Sequence, residues 1–134
     1  MTLEQLEEEL PNGLHDAQIR SITRNFENDT LTLEVRILTG LYDDPPEKRS
    51  AYRNGSITFI GVKVFVIETP DASSAFLARG AVYFIASRTE PGSIPAQVVA
   101  KLAPGNNMYS FFILDWHSNI HLAALDMTFG WQHE

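Results

Sequence analysis

The chain has 134 residues, 44% of them apolar, and a formal net charge of −7 at pH 7, which fits one globular domain over residues 1–134. It has no cysteine, so disulfides, thiolate zinc sites and cysteine nucleophiles are excluded. The acidic balance opposes binding to nucleic acid or anionic lipid, where affinity comes from Lys and Arg, and is compatible with a basic protein partner.

The first ten residues place leucines at helical spacing with acids between them, which predicts a short N-terminal helix. Thr2 and Gln5 have the spacing of a capping box, and Pro11-Asn12-Gly13 ends the pattern. This start lacks the basic and apolar regions of a signal peptide, and no apolar run reaches the roughly 18 residues of a membrane-spanning helix. We therefore expect a soluble cytoplasmic protein without a membrane partner.

Two strands follow the helix. Thr30–Leu38 alternates apolar and polar residues and predicts a half-buried strand. Residues 17–26 alternate less cleanly, because Ile19 and Ile22 cannot share a face without a bulge near Ser21. Asn28-Asp29 between the two runs is typical of a tight hairpin turn.

Residues 39–54 form the one long polar connection, and Pro45-Pro46 cannot donate to a sheet ladder. Loops of this length tend to be functional or disordered. Since nothing in this loop resembles a ligand set, we favour the disordered interpretation.

The second half of the chain is rich in apolar and aromatic residues. Residues 55–68 are apolar on both faces, which predicts a central strand covered on two sides. Further apolar segments occupy residues 76–87, 94–102 (the weakest) and 108–116. The tail, residues 120–131, fits a strand or a helix, and its neighbours favour the strand. We predict an antiparallel sandwich or partly open barrel of about seven strands with a short N-terminal helix.

The polar run of residues 115–121 holds two of the four histidines. A helix reaching back to His117 would give His117 and His121 the i, i+4 spacing of two metal ligands. A hairpin would instead leave His117 exposed at the turn and place His121 on the core-facing side of the return strand, beside Ala123 and Leu125. There a neutral imidazole would hydrogen-bond a carbonyl or carboxylate.

Two histidines alone do not make a metal site. Folding would have to supply a third ligand, for which the candidates are His15, Asp16, Asp115 and Asp126. We therefore predict neither a metal nor a cofactor.

His15 and Asp16 form a second polar feature. Neighbours on a strand point to opposite faces, so the two side chains could cooperate only within a turn. A structural role is favoured. The alternative is an acid–base site in which His15 and Asp16 meet His121, although no serine lies in a Gly-x-Ser-x-Gly elbow and no catalytic residue is predicted.

Tyr52 and Arg53 precede the central strand. An arginine beside an aromatic ring can bind carboxylate or phosphate, but it more often lies over a ring and pairs with an acid such as Asp43. The tryptophans Trp116 and Trp131 are better interpreted as packing residues. The candidate ligand-binding residues are His15, Asp16, Tyr52, Arg53, Asp115, Trp116 and His121.

Four short motifs are spread along the chain: GLHDA from Gly13, YRNG from Tyr52, ETPD from Glu68, and Asp115-Trp116 followed by IHLAA from Ile120. Together they resemble a family of small uncharacterised bacterial proteins. The resemblance implies a bacterial, free-standing, single-domain protein and no particular activity.

These observations favour a non-enzymatic binding or protein-interaction module, for example an immunity protein that covers the site of a basic toxin. The alternative is a small-molecule-binding or hydrolytic β domain with a polar site at His15, Asp16 and His121. The sequence leaves the oligomeric state open.

Overall fold

The computed structural model describes residues 1–68, 82–85, 94–114, 116 and 118–133. The helices are α1 (Leu3–Glu9), α2 (Pro46–Arg49) and α3 (Ile94–Leu102). The strands are β1 (Pro11–Leu14), β2 (Ala17–Asn25), β3 (Thr30–Leu38), β4 (Tyr52–Ile60), β5 (Val64–Ile67), β6 (Val82–Ile85), β7 (Asn107–Ile113), β8 (Ser118–Ala124) and β9 (Asp126–Trp131). The predicted mainly β, antiparallel fold with a short N-terminal helix is confirmed.

Helix α1 begins with the predicted capping box. The Thr2 hydroxyl accepts from the Gln5 backbone N–H at 3.1 Å, and the Gln5 side chain accepts from the Thr2 N–H at 2.8 Å. Each bond satisfies an amide that a helix start leaves without an intrahelical partner. Leu3, Leu6 and Leu10 are buried, so the helix is part of the core and turns its glutamates outward.

Eight described strands form one antiparallel sheet in the order β5-β8-β7-β6-β2-β3-β4-β9. Strands β2 and β3 form the predicted hairpin, with Ile22 opposite Leu33. The register shifts between Ile19 and Ser21, which confirms the irregularity predicted near Ser21. The extra residue lets both Ile19 and Ile22 pack towards the core.

Two segments of the chain each contribute two strands, because both bend sharply. Ile60 pairs with Asp126 before the bend, and Val64 pairs with Ala123 after it. Gly61 makes the bend with a φ of +64°, a conformation that costs glycine little. A Cβ on Gly61 would lie 2.6 Å from Cδ1 of Leu125, so a side chain at this position would also force the Leu125 side chain to move.

The bend explains how the sheet surrounds its core. The strands at the two ends of the sheet order, β5 and β9, belong to the same two paired segments, so the sheet curls back like a partly open barrel. The prediction of one uninterrupted strand over residues 55–68 was therefore wrong. The apolar pattern continues through residue 61, but the backbone does not remain extended there.

Helix α3 covers the outer face of β5, β8 and β7. Val99 and Ala103 form a second buried cluster with Ala123, against which Val64 and Met108 pack. Residues 94–102 were counted among the strand-like segments, and that was wrong. Their apolar residues recur with helical period, and the helix buries one side of them on the sheet.

The strand interpretation of the tail is confirmed, since residues 118–131 form β8 and β9. Of the apolar segment at residues 76–87, the strand Val82–Ile85 is described and the remainder lies outside the described residues. Within the described part of the chain, no helix combines the length and the apolar composition needed to cross a membrane.

Truncating Leu6 should show that α1 belongs to the core. The side chain is fully buried, so Leu6→Ala should lower the free energy of unfolding by about 2–5 kcal/mol in urea titrations. The matched control is Leu102→Ala on α3, where the leucine is 67% exposed and the change should stay within about 0.5 kcal/mol. Equal effects of the two substitutions would contradict this packing.

The ionisation of Tyr109 should make the free energy of unfolding fall at alkaline pH. Burial, and after it the nearby charge of Asp126, raise the pKa of Tyr109 above its ordinary value, while a hydrogen bond with Asn107 opposes the shift. The unfolded chain therefore loses this proton first once the pH exceeds about 10. Stability should be unaffected by this group below that pH and should fall as the pH rises further. In Tyr109→Phe the decline of unfolding free energy above pH 10 should be shallower, and an identical slope would contradict the argument.

Candidate functional site

His121 is fully buried at the centre of a polar group that we call the His121 cluster: Glu68, Ser110, Asn119 and His121. Ser110 of β7 lies directly opposite His121 of β8, and its Oγ is 2.9 Å from Nδ1 of the imidazole. Glu68 follows β5, and its Oε2 lies 3.6 Å from Nε2 of the same ring. Both ring nitrogens therefore face polar groups on the two neighbouring strands.

The Glu68 carboxylate also holds the start of β8. Its Oε1 accepts from the backbone N–H of Asn119 at 2.7 Å and from the Asn119 side-chain Nδ2 at 2.9 Å. The Glu68 backbone N–H donates to the Asn119 carbonyl at 3.0 Å. The carboxylate thus takes the place that a backbone carbonyl would occupy in a continuing ladder.

The cluster is enclosed on one side and reaches the surface on another. Asn119 is 3% exposed, whereas the Glu68 side chain is 22% exposed. Oδ1 of Asn119 is buried and finds no hydrogen-bond partner among the described residues. A buried carbonyl oxygen without a donor costs free energy, so this atom marks a place where an additional group would bind favourably.

The structure does not bring His15 and His121 together. Strands β6 and β7 lie between β2 and β8, which separates them by about 14 Å at the usual strand spacing. The expectation that His121 finds its partner at His15 and Asp16 was wrong, because antiparallel neighbours β5 and β7 supply its contacts instead. The acid–base site of His15, Asp16 and His121 is therefore not assembled.

The expected surroundings of His121 are partly right. Alternation along β8 puts it on the same face as Ala123, within the layer that α3 covers. Leu125 does not share that environment, being 59% exposed at the bend. The sequence pattern places His121, Ala123 and Leu125 on one strand face. In the structure that face ends at the bend, before Leu125.

His15 and Asp16 lie in the turn between β1 and β2, the one arrangement in which neighbours can interact. Asp16 has a φ of 60°, and its Oδ2 is 3.4 Å from Nε2 of His15. The two side chains are 70% and 50% exposed, so solvent screens the pair. The Tyr52 hydroxyl donates to the Asp16 carbonyl at 3.3 Å and ties the turn to β4.

Tyr52 and Arg53 take different partners because they are neighbours on a strand. The Arg36 guanidinium lies 5.0 Å from the Tyr52 ring centre, and that of Arg53 lies 4.6 Å from the Trp131 ring centre. The prediction that Arg53 lies over a ring is confirmed, and the ring is that of Trp131. The predicted pairing of Arg53 with Asp43 is not found among the ion pairs of the described residues. These contacts hold both arginines along the surface.

The tryptophans pack as the sequence predicted. Trp116 and Trp131 are partly buried against the main core. The Trp116 backbone N–H donates to the Ile113 carbonyl at 3.2 Å, which begins the connection from β7 to β8. The other candidates in this connection, Asp115 and His117, lie outside the described residues.

The long connection between β3 and β4 is built by specific contacts, and the disordered interpretation was wrong. Asn12 donates through Nδ2 to the carbonyls of Leu38 and Gly40, both at 2.9 Å. A Cβ on Gly40 would overlap the Arg49 carbonyl oxygen, so only glycine permits this close approach. Helix α2 occupies the middle of the segment.

A tight turn at the tip of this connection displays an aromatic side chain. The Leu41 N–H donates to the Asp44 carboxylate at 2.8 Å, and the Asp44 N–H donates to the Leu41 carbonyl at 3.0 Å. Tyr42 between them is 95% exposed, and Leu41 is 43% exposed. Together with the exposed His15–Asp16 turn, these residues form what we call the loop-end surface.

Sequence reasoning missed Glu68, Ser110 and Asn119, although one signal was available. A hairpin centred on residues 115–116 pairs Ser110 with His121, and alternation with buried Tyr109 and Phe111 puts Ser110 on the opposite face. Glu68 could not be found this way, because its position depends on the bend at Gly61. Across the described ranges, no three His, Asp or Glu side chains gather as metal ligands.

Comparisons of the chain with protein-family models, with curated proteins and with solved structures gave no match in any of the three.

Removing the imidazole of His121 should test how much this side chain contributes to the stability of the fold. His121→Ala removes the imidazole from the buried Ser110 hydroxyl and from Oε2 of Glu68. The free energy of unfolding should fall by about 1–3 kcal/mol in denaturant titrations. His15→Ala is the matched control, since that imidazole is 70% exposed and should change stability by less than about 0.5 kcal/mol. An unchanged melting temperature in His121→Ala would refute the bracing role.

Proposed function

We propose that this protein is a non-enzymatic interaction module of a bacterium that binds a basic protein through the loop-end surface. The observation that carries the proposal is Tyr42, which is 95% exposed on a turn held by its own hydrogen bonds. Tyrosine is enriched among the residues that contribute most to protein–protein affinity. The bacterial origin and the cytoplasmic location expected from the sequence are part of the same proposal.

The construction of the loop supports a binding role. Binding costs free energy when a flexible segment must be ordered, and this cost falls when the segment already has its bound shape. The contacts of Asn12, Gly40 and Asp44 fix the loop before any partner arrives. Leu41 and Tyr42 thus offer apolar area at low entropic cost.

The charge of the molecule favours a basic partner. The net charge is −7, and Glu4, Glu8 and Glu9 project from α1 into solvent while the leucines of that helix are buried. A fixed negative surface steers positively charged proteins and raises their association rate. An immunity protein that covers the site of a basic toxin is one concrete form of such a module.

Site-specific photo-crosslinking in the native host tests this proposal. A photoreactive phenylalanine analogue at position 42 should crosslink to one protein of high isoelectric point. The matched control is position 26, since Phe26 is 79% exposed in the β2–β3 turn at the other end of β3. Position 26 should give no crosslink to that protein.

The captured partner then allows a quantitative test. Tyr42→Ala should weaken binding by roughly 30-fold or more, as expected for a residue that anchors an interface. Phe26→Ala should change the dissociation constant by less than about threefold, and added salt should slow association. Crosslinking that is absent at position 42, or equal at both positions, would rule out the loop-end surface as the binding site.

A further inference from the structure

We propose that the His121 cluster binds one divalent transition-metal ion, with Zn²⁺ as the fitting probe. The ligands are Nε2 of His121, the Glu68 carboxylate and Oδ1 of Asn119. This site is separate from the loop-end surface, and the inference does not depend on the proposed function. It rests on the spacing of the first two groups, the burial of the third and the position of Ser110.

The separation between His121 and Glu68 suits two ligands of one metal ion. Their Nε2 and Oε2 atoms are 3.6 Å apart, which is longer than a good hydrogen bond of about 2.7–3.2 Å. Two ligands at about 2.0–2.1 Å from a tetrahedral zinc ion lie about 3.3–3.4 Å from each other, so the two side chains would approach by about 0.2–0.3 Å to bind it. An ion between them would also neutralise the carboxylate beside a buried ring.

Asn119 supplies the third donor. Its Nδ2 holds Oε1 of Glu68 at 2.9 Å, so the amide stands next to the carboxylate and its orientation is set. Oδ1 of the same amide is buried and without a hydrogen-bond partner among the described residues. Coordination of a cation would satisfy this oxygen.

Ser110 prepares the imidazole for coordination. When Nδ1 carries the proton and donates to the Ser110 Oγ at 2.9 Å, the lone pair of His121 lies on Nε2. That lone pair faces Glu68. Metal-binding histidines commonly use their second nitrogen in this way, because the hydrogen bond fixes both the tautomer and the ring orientation.

The donor set favours zinc over the alkaline earth ions. An imidazole nitrogen suits Zn²⁺ and its transition-metal neighbours, whereas Mg²⁺ and Ca²⁺ prefer oxygen ligands throughout. Three protein ligands leave a fourth position, which water would fill. Glu68 directly follows β5 and Asn119 is the second residue of β8, so the ion would link the end of β5 to the start of β8.

Metal binding to the untagged, chelator-treated full chain tests the proposal. Equilibrium dialysis should recover one zinc ion per chain, and Co²⁺ should give visible absorption bands of a low-symmetry site. Zinc at 100 times its dissociation constant should raise the melting temperature by roughly 10 °C. A folded protein that takes up no stoichiometric zinc, with an unchanged melting temperature, would overturn the proposal.

Variants separate this site from adventitious binding. Glu68→Gln keeps a carbonyl oxygen for the two Asn119 donors and removes the anionic ligand, so zinc affinity should fall at least tenfold. Ser110→Ala should weaken affinity roughly 10- to 100-fold by freeing the ring orientation. The control His15→Ala removes an exposed histidine beside a carboxylate and should leave zinc affinity unchanged. Loss of zinc in the control, with retention in Glu68→Gln, would place the metal at the surface turn and refute the assignment.

Discussion

The paired bend at Gly61 and Leu125 is the constraint on which the rest of the structure depends. The Leu125 N–H donates to the Ile60 carbonyl at 2.9 Å, and the Lys63 N–H donates to the Ala123 carbonyl at 2.8 Å, so pairing resumes directly beyond the bend. The Val62 N–H donates to the Asp29 carbonyl, which docks the β2–β3 turn at the same place. Because both segments turn together, two pairs of strands form from one pair of segments, and the core is enclosed with few connecting residues.

The sequence predicted those elements whose side-chain pattern alone decides their structure. Thr30–Leu38 has strict alternation and is a strand with the predicted bounds, and the irregularity near Ser21 follows from two isoleucines that alternation would separate. The bend was not predictable in this way, because the apolar run continues through Gly61 and periodicity does not record a positive φ. Helix α3 was missed for a related reason: a short apolar run fits a buried strand as well as a helix until its packing partner is known.

Those features of the candidate site that depend on nearby residues in the chain were predictable, and the contacts between distant residues were not. The burial of His121 on a strand follows from its neighbouring residues, whereas Trp131 reaches Arg53 only through the pairing of β4 with β9. The partners of His121 do not follow from its neighbouring residues, since Glu68 is 53 positions away in the chain and reaches it through the bend. The order of the loop between β3 and β4 was also hidden, because it depends on Asn12 and on the contact between Gly40 and Arg49.

The position of Leu125 between β8 and β9 restricts insertions and deletions at this bend. On β8 the even-numbered residues Ile120, Leu122 and Ala124 face the main core, whereas on β9 the odd-numbered residues Met127 and Phe129 do so. The single residue between the strands therefore switches which side chains are inward. Losing it would restore strict alternation from Ile120 through Phe129 and would favour one unbent strand in place of β8 and β9. Homologous chains should consequently tolerate substitutions at position 125 far better than insertions or deletions, and length variation should concentrate in other connections.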